Sequence, residues 1–220
     1  MNDLSKLINY KFSNIAYLEL ALTHRSYAKK NNERMEFLGD SILNNIISIE
    51  IYHRFPDIPE GDLSRLRANL VKGDTLAKIA LEYSIGEFVK LGPGELKSGG
   101  FRRTSILADT LEAIIGAVYL DSDYSVVSGF VLNLFSGYLD ACIPGDELKD
   151  PKTRLQEYLQ ANGLSIPNYD VIKITGKSHQ QNFSVECFLQ SMNKRFNGDG
   201  TSRRKAEQQA ASTALRYLNL

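Results

Sequence analysis

The apolar positions of this chain change their period near residue 143. Before that point they recur at helical spacing. Ile15, Leu18, Ala21 and Leu22 follow Ser13, which reads as an N-cap. Residues 34–55 carry Phe37, Leu38, Ile42, Ile46, Ile47 and Ile49, an apolar stripe that Pro56 ends. Two more helical stretches, 62–71 and 74–84, each open on an aspartate placed as a cap, Asp62 and Asp74. The glycine-rich segment LGPGELKSGGFRR (91–103) reads as a loop. A strongly apolar helix runs from Thr104 to Leu120, and a last helix covers 124–141.

After CIPGDELKDP (142–151), a linker by its prolines and charges, the pattern alternates. Residues 152–162 read as a helix, while YDVIKITGK (169–177) and NFSVECFLQ (182–190) read as strands. A third short strand fits 192–197. The turn NGDGTS then leads into a helix whose Ala206, Ala210, Ala211 and Ala214 would let it pack closely on a sheet. The expected architecture is an all-α domain over 1–143, a linker over 144–151, and a small α+β domain of order α-β-β-β-α over 152–220.

Charge sharpens this division. The 220 residues carry no net charge, yet residues 1–146 hold 15 basic and 19 acidic groups, and residues 147–220 hold 11 and 7. An acidic front and a basic tail suit a catalytic part joined to a part that meets a polyanion. Cys142 and Cys187 are far apart and read as reduced thiols. With three scattered histidines they offer no zinc ligand set. The N-terminus lacks the features of a signal peptide, and the most apolar stretch (42–51) is too short and polar to cross a bilayer. These features point to a cytoplasmic protein without membrane contact.

Four carboxylates stand inside the apolar helices. Glu36 and Asp40 are spaced i,i+4; Asp109 and Glu112 are spaced i,i+3; each pair shares one helix face. Like charges so placed repel, and removing them from water is costly without compensation. The helix dipole accounts for acidic residues in a first turn, such as Glu33 and Glu36. It does not reach Asp40 and Glu112, which lie beside Gly39 and Gly116. A helix-interior glycine costs about 1 kcal/mol against alanine, so close approach of another helix or of a substrate is expected there. A di-iron bundle would need Glu-x-x-His motifs, which neither pair has. Oxygen-only ligation favours Mg²⁺, with Mn²⁺ as substitute, an ion able to activate water and shield a phosphoryl group.

In the tail, Arg203, Arg204 and Lys205 stand at a helix N-terminus, where cations oppose the helix dipole. With free backbone N–H groups they suit phosphates. Thr153, Gln156, Glu157 and Gln160 share one face of the preceding helix, and His179 sits between the first two strands. Such a face, beside a phosphate clamp, can meet 2′-hydroxyls and base edges across an RNA minor groove.

Together these segments resemble bacterial ribonuclease III. The resemblance is carried by NERMEFLGDSIL (32–43), ALTHRSYA (21–28), EGDLSRLRANLV (60–71), LGPGELKSGG (91–100) and ILADTLEAIIGAVYLD (106–121). The tail, from DPKTRLQEYLQ (150–160) to GTSRRKAEQQAA (200–211), resembles a double-stranded-RNA-binding domain. The resemblance implies a homodimer formed through the catalytic domain. It implies cleavage of both RNA strands to 5′-phosphate and 3′-hydroxyl ends with a short 3′ overhang, in processing of ribosomal precursors and some mRNAs and tRNAs. It makes Glu36, Asp109 and Glu112 the Mg²⁺ ligands, Asp40 and Glu112 the catalytic pair, and Glu33 and Glu60 further acidic positions near the cleavage valley. Arg203, Arg204 and Lys205 match the phosphate clamp, although Glu207 stands where that clamp has another basic residue. Two other readings stay open: a non-cleaving double-stranded-RNA-binding regulator, and a metal-dependent phosphohydrolase acting on small esters.

Overall fold

The computed structural model describes residues 2–142, 150–177 and 180–220. The chain divides into two compact units, Met1–Pro144 and Gly145–Leu220. His179, and the expected linker up to residue 149, lie outside the described residues.

The first unit is helical. Helices α1 (Asn2–Leu7) and α2 (Ile15–Ala21) precede the long α3 (Glu33–Arg54), followed by α4 (Glu60–Leu70) and α5 (Gly73–Glu82). After α6 (Pro93–Lys97) come α7 (Thr104–Asp121), α8 (Tyr124–Leu134) and α9 (Ser136–Asp140). Helix α7 is the centre: Ile106, Leu107, Leu111 and every residue from Ala113 to Val118 are buried. It packs against α2, α3, α5 and α8. A helix apolar on nearly all sides must be enclosed this way.

Several local expectations need correction. The α2 cap is Asn14, whose side chain accepts from the Ala16 N–H; the Ser13 N–H donates instead to Asp121. Asp62 and Asp74 do not cap α4 and α5 but lie in their first turns, behind Pro59 and Lys72. There the dipole favours a carboxylate without any cap, and Asp62 also pairs with Arg65 at 2.5 Å. The glycine-rich 91–103 segment is not wholly loop. Pro93 starts the short α6, as a proline at the first helical position can, and Gly100–Arg102 forms a 3₁₀ turn. The last helix breaks at Phe135 into α8 and α9. In α3, Ile42, Ile46 and Ile47 are core, but Phe37 is 76% exposed and Ile49 45%.

The second unit has the order α10 (Pro151–Ala161), β1 (Asn168–Thr175), β2 (Asn182–Leu189), β3 (Lys194–Gly200) and α11 (Arg203–Tyr217). Asp150 caps α10, so the linker's last two residues belong to this unit. The strands form one antiparallel sheet in the order β1-β2-β3. Leu155, Leu159, Cys187, Leu189 and the alanines Ala210, Ala211 and Ala214 make the core. The NGDG segment is the end of β3 rather than a turn. Its glycines explain this: a Cβ on Gly198 would overlap the backbone of Ala206 and Ala210, and one on Gly200 the backbone of Lys205 and Ala206. The small residues of strand and helix thus allow backbone contact. Among the described residues, no helix is long and apolar enough to cross a membrane.

Candidate active site and RNA-binding surface

Helices α3 and α7 touch through their backbones. A Cβ on Gly39 would collide with the main-chain carbonyl of Glu112, and one on Gly116 with that of Met35. This is the close approach expected from glycines inside helices, and it decides where the carboxylates go. Glu36 precedes Gly39 by one turn and Asp40 follows it directly; Glu112 precedes Gly116 by one turn and Asp109 lies one turn further back. The crossing therefore faces the two pairs toward each other. Glu36, Asp109 and Glu112 each present an oxygen within 4.8 Å of the others, a group able to hold a metal ion.

The electrostatics of this group are adverse. Burial pushes Glu112 up to about 8, and the charges of Asp40, Asp109 and Glu36 add to the shift. Glu36 is raised by burial, then by Asp109 and Glu33. Asp109 is raised by burial, against the opposing charges of His24 and Arg25. Asp40 is exposed, and its Oδ1 accepts a 2.8 Å hydrogen bond from the Asn44 amide. Perturbation from burial and neighbouring charge is common at functional sites.

A cavity of about 270 Å³ adjoins the cluster, lined by Glu33, Glu36 and Asp109 on one side and by His24, Arg25 and Arg103 among others. Glu33 pairs with Arg25 at 3.4 Å on the cavity rim. The Glu60 carboxylate accepts from Ser64 at 2.7 Å and is not part of the metal-binding group. Sequence reasoning missed the three basic residues of the cavity. His24 and Arg25 lie within ALTHRSYA, but only the fold carries that segment to Asp109, by pairing Thr23 with Lys90.

In the second unit, Arg203, Arg204 and Lys205 are exposed in the first turn of α11, which Ser202 caps. Arg204 and Lys205 extend into solvent, whereas Arg203 turns back. Its Nε donates to Glu207 at 2.8 Å, and the other oxygen of Glu207 accepts from Lys152 at 2.6 Å. These two cations hold the buried Glu207 carboxyl below its ordinary range despite burial. Glu207 thus joins the N-terminal turns of α10 and α11. Gln156, Glu157 and Gln160 are exposed on the α10 face opposite Leu155 and Leu159, and the Thr153 hydroxyl donates to Asp150 at 2.9 Å.

Comparison with known proteins agrees with both halves. A family described as Ribonuclease-III-like matches residues 14–138, and the double-stranded RNA binding motif matches 151–218. Ribonuclease 3 from Vibrio vulnificus, in strains YJ016 and CMCP6, is 58% identical over 218 residues, covering 99% of this chain and 97% of that protein. Two solved structures of the nuclease domain of ribonuclease III from Campylobacter jejuni are also similar. One has a TM-score of 0.62 at 38% identity over 65% of this chain and 98% of that one. The other has a TM-score of 0.60 at 40% identity over 61% and 95%, and is described as flexible in a region involved in dimer formation. Because the Vibrio identity spans both units, the crossing of two acidic helices and the double-stranded-RNA-binding motif that follows in the chain have a single assignment: this chain belongs to the ribonuclease III family.

Proposed function

We propose that this chain, as a ribonuclease III, cuts both strands of duplex RNA with Mg²⁺ held by Glu36, Asp109 and Glu112. The observation that carries this reading is the convergence of three carboxylates within 4.8 Å on apolar helices. All the donors are oxygens, which suits a hard divalent cation, with Mn²⁺ able to substitute. Glu112 is raised by burial first and by its acidic neighbours second, and a bound cation would offset both costs. When bound, the ion supplies charge compensation at the scissile phosphate and a more acidic water. Asp40 stays outside the ligand set. Its carboxylate orients the attacking water and takes a proton from it, or passes one to the departing 3′-oxygen. Glu112 serves both as ligand and as Asp40's partner in catalysis. Glu33 and Glu60 belong to the acidic surroundings of the valley.

The products are duplex fragments with 5′-phosphates, 3′-hydroxyls and a short 3′ overhang. The substrates are ribosomal RNA precursors and some mRNAs and tRNAs, processed in the cytoplasm. The domains are 1–143 and, with the Asp150 cap and Pro151 of α10 counted in, 150–220, joined by 144–149. The second holds the duplex through Arg204 and Lys205, with Arg203 oriented by Glu207, through the α10 face of Thr153, Gln156, Glu157 and Gln160, and through His179.

One carboxylate set makes one cut, so double-strand cleavage calls for a homodimer. The surface of the first unit supports it. Exposed Phe37 precedes Leu38, which with Leu20, Met35 and Leu120 lines a recess that Lys29, Lys30, Asn31, Glu33 and Arg34 border. A knob beside a recess on one surface can be satisfied twice by a two-fold axis. Sedimentation of F37A should show a weaker dimer than wild type, and a wild-type monomer at working concentration would overturn the pairing. The non-cleaving regulator is disfavoured by four intact carboxylates. Incubating the protein with long duplex RNA, with and without Mg²⁺, tests the main reading. Staggered duplex fragments with 5′-phosphates should form only with Mg²⁺; uncut RNA under both conditions would overturn it.

A further inference from the structure

Beside the proposed site, α3 carries a polar ladder that no part of the reaction scheme uses. The Asn44 amide nitrogen donates to the Asp40 carboxylate at 2.8 Å and to the Asp40 main-chain carbonyl at 3.0 Å. Both partners are acceptors only, so the nitrogen, not the oxygen, of the amide faces them. One turn on, the Ser48 hydroxyl donates to the main-chain carbonyl of Asn44 at 2.6 Å and accepts from Arg67 of α4 at 3.0 Å. Asp40, Asn44 and Ser48 thus lie on one face of α3, and a second helix secures the end of the row.

We infer that Asn44 is a positioning residue that fixes the Asp40 carboxylate for the cleavage step. The inference rests on the role given to Asp40 above. An exposed aspartate on a helix has a broad terminal torsion. Here it also stands among like charges, since Asp40 is one of the groups that raise Glu112 and Glu36. Left alone, the carboxylate would swing toward water and away from the cluster. The Asn44 N–H holds Oδ1 and leaves Oδ2 for the attacking water. An amide does this without adding charge. A lysine or arginine at the same place would neutralise Asp40 and compete with both metal and RNA. Asn44 reaches no substrate atom in this scheme and works only through Asp40.

Single-turnover cleavage at saturating RNA and Mg²⁺ tests the idea with N44A, D40N and the double variant. RNA affinity measured without Mg²⁺ and the thermal midpoint are recorded for each. N44A should cleave about tenfold more slowly, as loss of a supporting hydrogen bond at such a site does. Its RNA affinity and thermal midpoint should stay at wild-type values. In the D40N background the same substitution should cause no further loss, because there is no carboxylate left to position. N44D, near-isosteric but without the donor, should be at least as slow as N44A and serves if alanine disturbs the helix. Wild-type cleavage by both N44A and N44D, or an equal slowing of D40N by N44A, would overturn the proposal. Wild-type cleavage by D40N would instead overturn the assignment of Asp40, and the role of Asn44 with it.

Discussion

The two units treat charge in opposite ways on the same kind of backbone contact. In the first, Gly39 and Gly116 bring two helices together so that carboxylates face one another across the crossing. In the second, Gly198 and Gly200 bring a strand against α11, but the contact faces the core and the cations point outward. The first unit compensates its like charges only in part, through His24 and Arg25, and burial with the neighbouring carboxylates raises Glu112 to about 8. The second settles the buried Glu207 carboxylate internally, lowered by Lys152 and Arg203. The contrast separates a site that needs a ligand to be electrostatically satisfied from a surface already satisfied before its ligand arrives. On the proposed reading an ion would complete the first, and a polyanion would find the second ready.

Removing one charge from the first site should break the comparison most sharply. Glu112→Gln keeps the shape and removes a proposed metal ligand, whose ion would contribute several kcal/mol to the transition state. Cleavage of duplex RNA should fall by roughly 10³-fold or more, while filter binding shows nearly unchanged affinity. Cleavage near the wild-type rate would mean that Glu112 is not part of the machinery.

Filling the two backbone contacts should show what each one aims. Gly39→Ala and Gly198→Ala both force apart packed backbones, and each should cost at least about 1–3 kcal/mol in urea unfolding, as overpacking does. Their functional consequences should differ. G39A displaces the carboxylates and should slow cleavage at saturating RNA; G198A disturbs the α11 seat and should weaken RNA binding instead. Identical functional profiles would mean that the crossings do not position separate sites.

Neutralising the outward cations comes next. The double change of Arg204 and Lys205 to alanine should weaken duplex binding on all sequences alike. It should reduce the slope of log K against log salt by roughly two phosphate contacts' worth, about 1.4–1.8. Single-turnover cleavage at saturating RNA should hardly change. An unchanged slope would place the clamp elsewhere on the unit.

How much of this was legible in the sequence follows the same division. The helical first unit and the α-β-β-β-α second unit followed from apolar periodicity, because both patterns are set by burial on one face. The four carboxylates were legible because charge on an apolar helix is anomalous in itself, and the glycines beside them forecast the crossing. Helix starts were misassigned at Asp62 and Asp74, since a first-turn carboxylate and a capping one have the same local sequence. Phe37 belongs to the apolar stripe yet is exposed, because periodicity cannot distinguish a core face from an exposed apolar one. His24 and Arg25 were placed in the cavity by pairing between residues 23 and 90, a long-range event without local signal. The departure at Glu207 was visible, but its consequence was not, since Lys152 lies on another helix.

The smallest expected effect is a difference in pH dependence between the units, measured without metal. Glu112 titrates near 4.5 in an unfolded chain and at about 8 in the folded one. Between these values the folded state binds the extra proton, so the first unit should lose stability as pH rises from about 4.5 to about 8. Glu36 and Asp109 are shifted in the same direction. Glu207 is shifted the other way: its contribution is present above its unfolded value and is lost as pH falls through the lower folded one. Through Glu207 the second unit should therefore weaken in acid. Urea unfolding in EDTA from about pH 3 to about pH 8, followed by hydrogen exchange in each unit, separates the two. Mg²⁺ should restore most stability at the alkaline end and release protons as it binds, because its ligands must be deprotonated. E112Q should flatten the alkaline loss in the first unit and leave the acid loss in the second unchanged. If E112Q keeps the wild-type alkaline slope, groups outside the α3–α7 crossing set it, and the cluster is less strained than its geometry indicates.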